Sequence, residues 1–322
     1  MLKRDEVRGL LPYKVQSQFD DIALGRVLGA SRHIRMIGDM FTAVGREELP
    51  DEEKLKRCLL VGDYFKETRG KSSYAIINAI NLMLGPLCKN SEVKDTGECI
   101  ENSIKEYFES SKKDTQRIIS CFKNIVDRKH IKTLMVYDYS STVEKCVAAL
   151  ETPVEVYIPE SRVIDGGKPF VKPFVTAGHK VHFIADAAML TVIRKIDAVL
   201  IGAETFYPDG SAFNTVGSDL LAEISDLYDV PYYVLTPFLK VDMRFCQGVF
   251  KEVIEADLAQ RLAEGWEESI KEKVDFHSLE LVRIPSRHIE GFVTEQGLIP
   301  AAAMFQAALA YEEKVSLGGR KK

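Results

Sequence analysis

The sequence predicts an α/β protein, with an N-terminal helical domain over residues 1–128 followed by a Rossmann-like, doubly wound parallel sheet over residues 129–322. Three observations carry this. Through residue 128 the apolar positions recur three and four apart, the spacing that lines one face of a helix. From Ile131 onward the apolar residues gather into short runs rich in Val, Ile, Tyr and Phe. Those runs alternate with helical stretches, and a continuously apolar strand must be covered on both faces, as in a parallel sheet between helix layers.

Element by element, Phe19-Ile22-Leu24-Val27 and Ile34-Ile37-Met40-Phe41 supply the first helical faces. Leu55-Leu59-Leu60-Tyr64, Ile76-Ile77-Ile80-Leu84 and Ile104-Phe108 continue them. Gly85-Pro86 reads as a helix end, since proline lacks the N–H that continues a helix, and the polar stretch 89–97 reads as a loop. Strands are expected at 133–138, 154–158, 180–186, 198–204 and 231–237, joined by right-handed crossovers. Residues 258–270 read as a surface helix and 279–284 as a further strand.

Composition narrows the function. A chain of 322 residues with 46% hydrophobic and 28% charged residues is an ordinary globular protein. A net charge of −5 argues against a nucleic-acid binder, and Arg320-Lys321-Lys322 reads as a solvated tail. There is no apolar run long enough to span a membrane and no apolar leader at the N-terminus, so a cytoplasmic location is expected. Six scattered cysteines without a CxxC pair suit reduced thiols. The histidines show no HExxH spacing, and His179 and His182, three apart, are too few to suggest a metal site. No metal and no cofactor are expected.

The strand ends carry the chemistry. The first strand leads to Asp138-Tyr139-Ser140-Ser141-Thr142, where a dinucleotide site would need GxGxxG. Such a turn caps its helix, and its N–H groups can also meet an anion. All carboxyl ends of a parallel sheet lie on one edge, so Asp138, Ser140, Arg162, Asp186, Glu204 and Lys240 are expected around one crevice. Segment 201–222 reads as a strand end, a loop bearing Glu204, and a helix opened by Asn214-Thr215-Val216-Gly217-Ser218.

The motifs "VYIPESR", "HFIADAA", "IGAETFYPDGSAFNTVGS" and "GFVTEQGLIP" resemble those of the family that unites the α, β and δ subunits of translation initiation factor 2B with two isomerases, acting on 5-methylthioribose 1-phosphate and ribose 1,5-bisphosphate. The resemblance runs from about residue 15 to 310 and implies a helical domain, a Rossmann-like domain and dimerisation through the latter. It sets Asp138 where the isomerases carry a catalytic Cys and Glu204 where they carry a catalytic Asp. The family's "NKIGT" becomes Asn214-Thr215-Val216-Gly217-Ser218, with Thr215 in place of Lys. Gly29 and Arg32 match an N-terminal glycine and arginine of the bisphosphate enzyme, and Arg69, Arg162 and Lys240 fall at or near phosphate contacts. The substitutions imply a phosphosugar-binding, regulatory cousin with Gly29, Arg32, Arg69, Ser140, Arg162, Asn214 and Lys240 around the ligand. The alternative is an aldose–ketose isomerase of a pentose 1-phosphate, with Asp138 and Glu204 as a carboxylate pair sharing one proton. The partners implied are a small phosphorylated sugar and a homodimer or higher even oligomer, with neither nucleic acid nor membrane.

Overall fold

A computed structural model describes residues 3–27, 29–89, 95–251 and 255–316; the basic tail at 320–322 lies outside them. The chain forms two compact units. One holds the residues up to Lys113 with Leu239–Val241 and the segment from Leu309; the other holds Asp114–Phe238 and Asp242–Ala308. The division falls inside a helix and not at the change of sequence rhythm near residue 130.

The first unit is helical. It contains α1 (Arg4–Gly9), α2 (Tyr13–Ala23), α3 (Ala30–Gly45), α4 (Asp51–Glu67), α5 (Arg69–Ser72), α6 (Tyr74–Lys89) and the first half of α7 (Thr96–Lys129). Their apolar stripes meet in one core, in which Phe19, Ile37, Phe41, Val61, Phe65 and Ile80 are fully buried. Two expectations change here. Helix α2 stops at Ala23, with Gly25 at φ +71 just beyond, so Leu24 is left 48% exposed. Helix α6 runs through Pro86 to Lys89. A proline in the last turn removes a single hydrogen bond, to the carbonyl four residues back, and there is little helix after it to disrupt. The stretch read as a loop is helical again from Thr96; its residues 90–94 lie outside the described set.

The second unit is the α/β layer. Its strands and helices are β1 (Thr133–Tyr137), α8 (Ser141–Ala148), β2 (Glu155–Pro159), α9 (Lys168–Thr176), β3 (Lys180–Ile184), α10 (Met189–Val192), β4 (Ala198–Ile201), β5 (Thr205–Phe206), β6 (Ala212–Thr215), α11 (Ser218–Leu227) and β7 (Tyr232–Leu235). They continue as β8 (Glu255–Asp257), α12 (Ala259–Leu262), α13 (Glu268–Lys271), β9 (His277–Leu279), β10 (Leu281–Ile284), β11 (Gly291–Thr294), β12 (Gly297–Ile299) and α14 (Met304–Val315).

The main sheet has the order β12-β11-β7-β4-β1-β2-β3, parallel throughout except for the β11–β12 hairpin. Buried on both faces, β1, β4 and β7 are continuously apolar, as the sequence rhythm requires; β3, at the edge, is half-exposed. The second half of α7 adds Ile118, Phe122 and Ile125 to the core on this sheet. Segment 258–270 forms two short helices, α12 and α13, in place of the one expected. Residues 281–284 do form a strand, but β10 joins β6 and β5 in a separate antiparallel sheet.

Strand order reverses at β1: the chain builds outward to β2 and β3 on one side, then returns to β4, β7 and β11 on the other. That is the topological switch point of a doubly wound sheet, where the connections leaving β1 and β4 part. Tyr137 and Ile201 are paired at the ends of these strands, so Asp138 and the Gly202-Ala203-Glu204 turn leave the sheet side by side.

Candidate functional site

Asp138 is the centre of the sheet-edge cluster. It is 6% exposed and adopts φ +57, a left-handed conformation that aspartate tolerates better than most side chains. Its Oδ2 accepts a 2.8 Å hydrogen bond from the Thr215 hydroxyl. Its Oδ1 is buried with no hydrogen-bond partner among the described residues. A buried carboxylate resists ionisation, and burial is the main cause that raises Asp138 to about 6. The Thr215 hydroxyl and the Tyr139 amide pull the other way, while the Glu204 and Glu280 carboxylates push it further up. Glu204 is therefore a minor contributor to the perturbation of Asp138, which arises mostly from where the chain places that residue.

Three close contacts hold this arrangement. A side chain at Gly166 would collide with Asp138 Oδ1, so only glycine lets the loop after β2 lie against the carboxylate. Gly202, opening the turn after β4, lies against Ser140. Thr215 is presented by β6, paired with Leu281 of β10. The turn after it is pinned by the Tyr137 hydroxyl, which donates to the Val216 carbonyl at 2.9 Å.

The predicted residues separate into groups. Asp138, Ser140, Arg162, Glu204 and Asn214 belong to the α/β unit; Gly29, Arg32, Arg69 and Lys240 belong to the helical one. Glu204, with its side chain 40% exposed, has the Lys251 ammonium 3.9 Å from Oε1. Ser140 is the N-cap of α8, and its hydroxyl accepts from the Val143 amide at 3.4 Å. Arg162 donates to the Arg261 carbonyl at 2.9 Å and lies 3.8 Å from Asp165. Asp186, expected in the crevice, accepts from the Ser161 and Arg162 amides at 2.8 and 2.9 Å and so braces the loop after β2. Asn214 does not open a helix: it lies in β6, buried, and its amide reaches the Ser218 hydroxyl at the true start of α11, 3.2 Å away.

In the helical unit, Gly29 is the exposed N-cap of α3 at φ +95 and Arg32 is exposed in that helix's first turn. The Arg69 guanidinium donates from Nε and Nη2 to the Ile22 carbonyl. Lys240 sits in a 3₁₀ turn, bracketed by the carbonyls of Leu239 and Val241, both of which accept from the Asn78 amide at 3.0 and 3.1 Å. Asn78 and Gly166 have no signal in the sequence, and neither does the contact of Thr215 with Asp138, because each acts through a partner distant in the chain.

Among the described residues no cluster of three or more His, Cys, Asp or Glu could hold a metal ion, and no helix is long and apolar enough to cross a membrane. His179 is structural: its Nδ1 accepts from the Val154 amide at 3.4 Å and its Nε2 lies 2.9 Å from the Val147 carbonyl. The cysteines are free thiols.

A sequence profile of the Initiation factor 2 subunit family matches residues 29–301. Over 309 residues the chain is 25% identical to a ribose 1,5-bisphosphate isomerase of Archaeoglobus fulgidus, covering 91% of this chain and 94% of that one. It is 29% identical over 147 residues to a methylthioribose-1-phosphate isomerase of Caldanaerobacter subterraneus, spanning 45% of this chain and 43% of the relative's length, less than half of it. Among solved structures, a Pyrococcus horikoshii 5-methylthioribose 1-phosphate isomerase superposes with a TM-score of 0.69 at 16% identity, over 98% of this chain and 88% of the other. A Pyrococcus horikoshii translation initiation factor 2B structure gives 0.66 at 18% identity, over 90% and 98%. These likenesses place the fold.

Proposed function

We propose, because this chain belongs to the initiation factor 2 subunit family, that the edge beyond β1 and β4 binds a small phosphorylated sugar. One observation carries the reading: Asp138, with a buried carboxyl oxygen and no partner for it, stands beside the Glu204 turn at the switch point of the sheet. A buried, unpartnered acceptor is unfavourable unless something completes it, and a sugar hydroxyl is a donor of the right kind. Sugar phosphates are named as the substrates of the isomerase relatives, one of which is matched over nearly its whole length.

A second reading, aldose–ketose isomerisation, is favoured by the raised value of Asp138. A carboxyl held near 6 retains its proton far better than an ordinary one, so Asp138 is fitted to donate a proton and the half-exposed Glu204 to accept one. Binding alone and turnover differ in one experiment. The full chain is incubated with 13C-labelled ribose 1,5-bisphosphate and with methylthioribose 1-phosphate, and the sugar carbons are followed by NMR. An isomerase yields a ketose carbonyl, lost in Glu204→Gln while the sugar still binds. A regulatory binder perturbs the sugar signals without converting it. Unperturbed signals at millimolar sugar and protein overturn both.

A further inference from the structure

We propose that the amino edge of the main sheet carries a second binding site, for a small organic ammonium, in a cavity of about 420 Å³. Lys129, at the end of α7, forms one wall. Asp226 and Asp229, at the end of α11 and in the turn before β7, form another, and Arg287, His288 and Glu290, leading into β11, close it. These are the amino ends of β7 and β11, so the cavity opens on the sheet edge opposite Asp138, which follows the carboxyl end of β1. All these residues belong to the α/β unit. The site is independent of the sugar reading.

Two observations point to a ligand. The His288 side chain is only 2% exposed, yet neither ring nitrogen makes a hydrogen bond with a described residue. The carboxylates of Glu223 and Asp226 lie 3.0 and 3.6 Å from the ring, on side chains that are themselves 60% and 62% exposed. A polar ring taken out of water without an aligned partner is unfavourable unless something completes it. The second observation is size. One water takes up roughly 30 Å³, so a bare ion would leave most of this cavity empty, whereas small-molecule sites have volumes of this order.

Charge then decides the class. Arg287 is 3.2 Å from Glu223 and Lys129 is 3.4 Å from Glu290, so each cation already has its carboxylate. Among the described residues, Asp226 and Asp229 have no lysine or arginine within ion-pair distance. Both stand at the carboxyl end of α11, where the helix dipole favours positive charge. An anion would have to draw Arg287 or Lys129 from its partner; a cation meets two carboxylates that lack one. No group of three or more His, Cys, Asp or Glu among the described residues could hold a metal ion. An ammonium, whose N–H groups donate to carboxylate and imidazole alike, fits both the charge and the donor set.

The test is calorimetric titration of the full chain with 1,4-diaminobutane at physiological salt. One saturable site per chain is expected. Its affinity is expected to fall about tenfold in Asp226→Asn and in Asp229→Asn, each of which removes an acceptor for a charged donor. His288→Gln is expected to weaken it as well; the two aspartates are exposed, so their variants carry the test should that one fail to fold. Glu109→Gln removes an exposed carboxylate of the helical unit and is expected to change nothing. That control separates a built site from general attraction to a chain of net charge −5. No saturation at millimolar diamine overturns the proposal, as does an affinity unmoved in folded Asp226→Asn and Asp229→Asn chains, or lowered equally by Glu109→Gln. Titration with inorganic phosphate is the opposite arm: phosphate binding that Arg287→Gln abolishes would make this an anion site and overturns the assignment too.

Discussion

Asp138 shows how a single residue can be legible in type and illegible in environment. Its position after the first strand marks it as an edge residue from the sequence alone. Its environment comes from Thr215, 77 residues further along the chain, and from Gly166, neither of which a local pattern can connect to it. The environment has a consequence for stability. The folded value, about 6, lies above the ordinary 3.8, so the fold favours the protonated form. Asp138 therefore contributes stability that is fully present below about pH 4 and is lost as the pH rises through about 6. The difference is on the order of 3 kcal/mol for a shift of this size. Asp138→Asn, neutral at every pH and tolerant of the same backbone conformation, is expected to remove that part of the pH dependence. Urea unfolding at pH 4.5 and 7.5 checks it: equal pH slopes in the two proteins contradict the assignment. Thr215→Val, which removes the hydrogen bond to Oδ2, is expected to destabilise by about 1–2 kcal/mol, more at pH 7.5 than at pH 4.5, because the bond favours the ionised form.

The elements were read unevenly, for physical reasons. Strands buried on both faces announce themselves, and β1, β2, β4 and β7 stand where their apolar runs are. The β5–β6 hairpin did not, because β5 covers only two residues and β6 mixes Ala and Phe with Asn and Thr where β4 and β7 are continuous apolar runs. That hairpin places Asn214 and Thr215 on a strand and moves the helix start to Ser218. The turn between them is held at both ends by tyrosines from the main sheet: Tyr137 donates to the Val216 carbonyl and Tyr232 to that of Ser218, at 2.9 and 3.0 Å. Gly217, at φ +98, lies so close to the Tyr137 hydroxyl that an added methyl would collide with it. Gly217→Ala is therefore expected to destabilise by more than about 2 kcal/mol, combining a left-handed backbone with the collision. Tyr232→Phe, which leaves a buried carbonyl without this donor, is expected to destabilise by about 1–2 kcal/mol. Thermal unfolding of the two variants checks the order; a Gly217→Ala protein as stable as the wild type contradicts the pinned turn.

At the scale of the whole molecule, a helical half followed by a parallel sheet was readable because the period of the apolar residues changes once, near residue 130. The division into compact units was not readable there. Helix α7 runs unbroken for 34 residues and lends its first half to one core and its second to the other. Assembly belongs to this scale as well. The sequence resemblance implies an even oligomer, and light scattering that finds a monomer at micromolar concentration removes that expectation. The central claim is that the chain recognises a sugar through both its hydroxyls and its phosphate. Calorimetric titration of the full chain with ribose 1,5-bisphosphate, and separately with ribose, tests it most directly. Saturable binding of the bisphosphate is expected, with none of comparable strength for ribose, because a phosphate offers charge-assisted hydrogen bonds that ribose lacks. No binding heat at millimolar bisphosphate, or equal affinity for ribose, would contradict it.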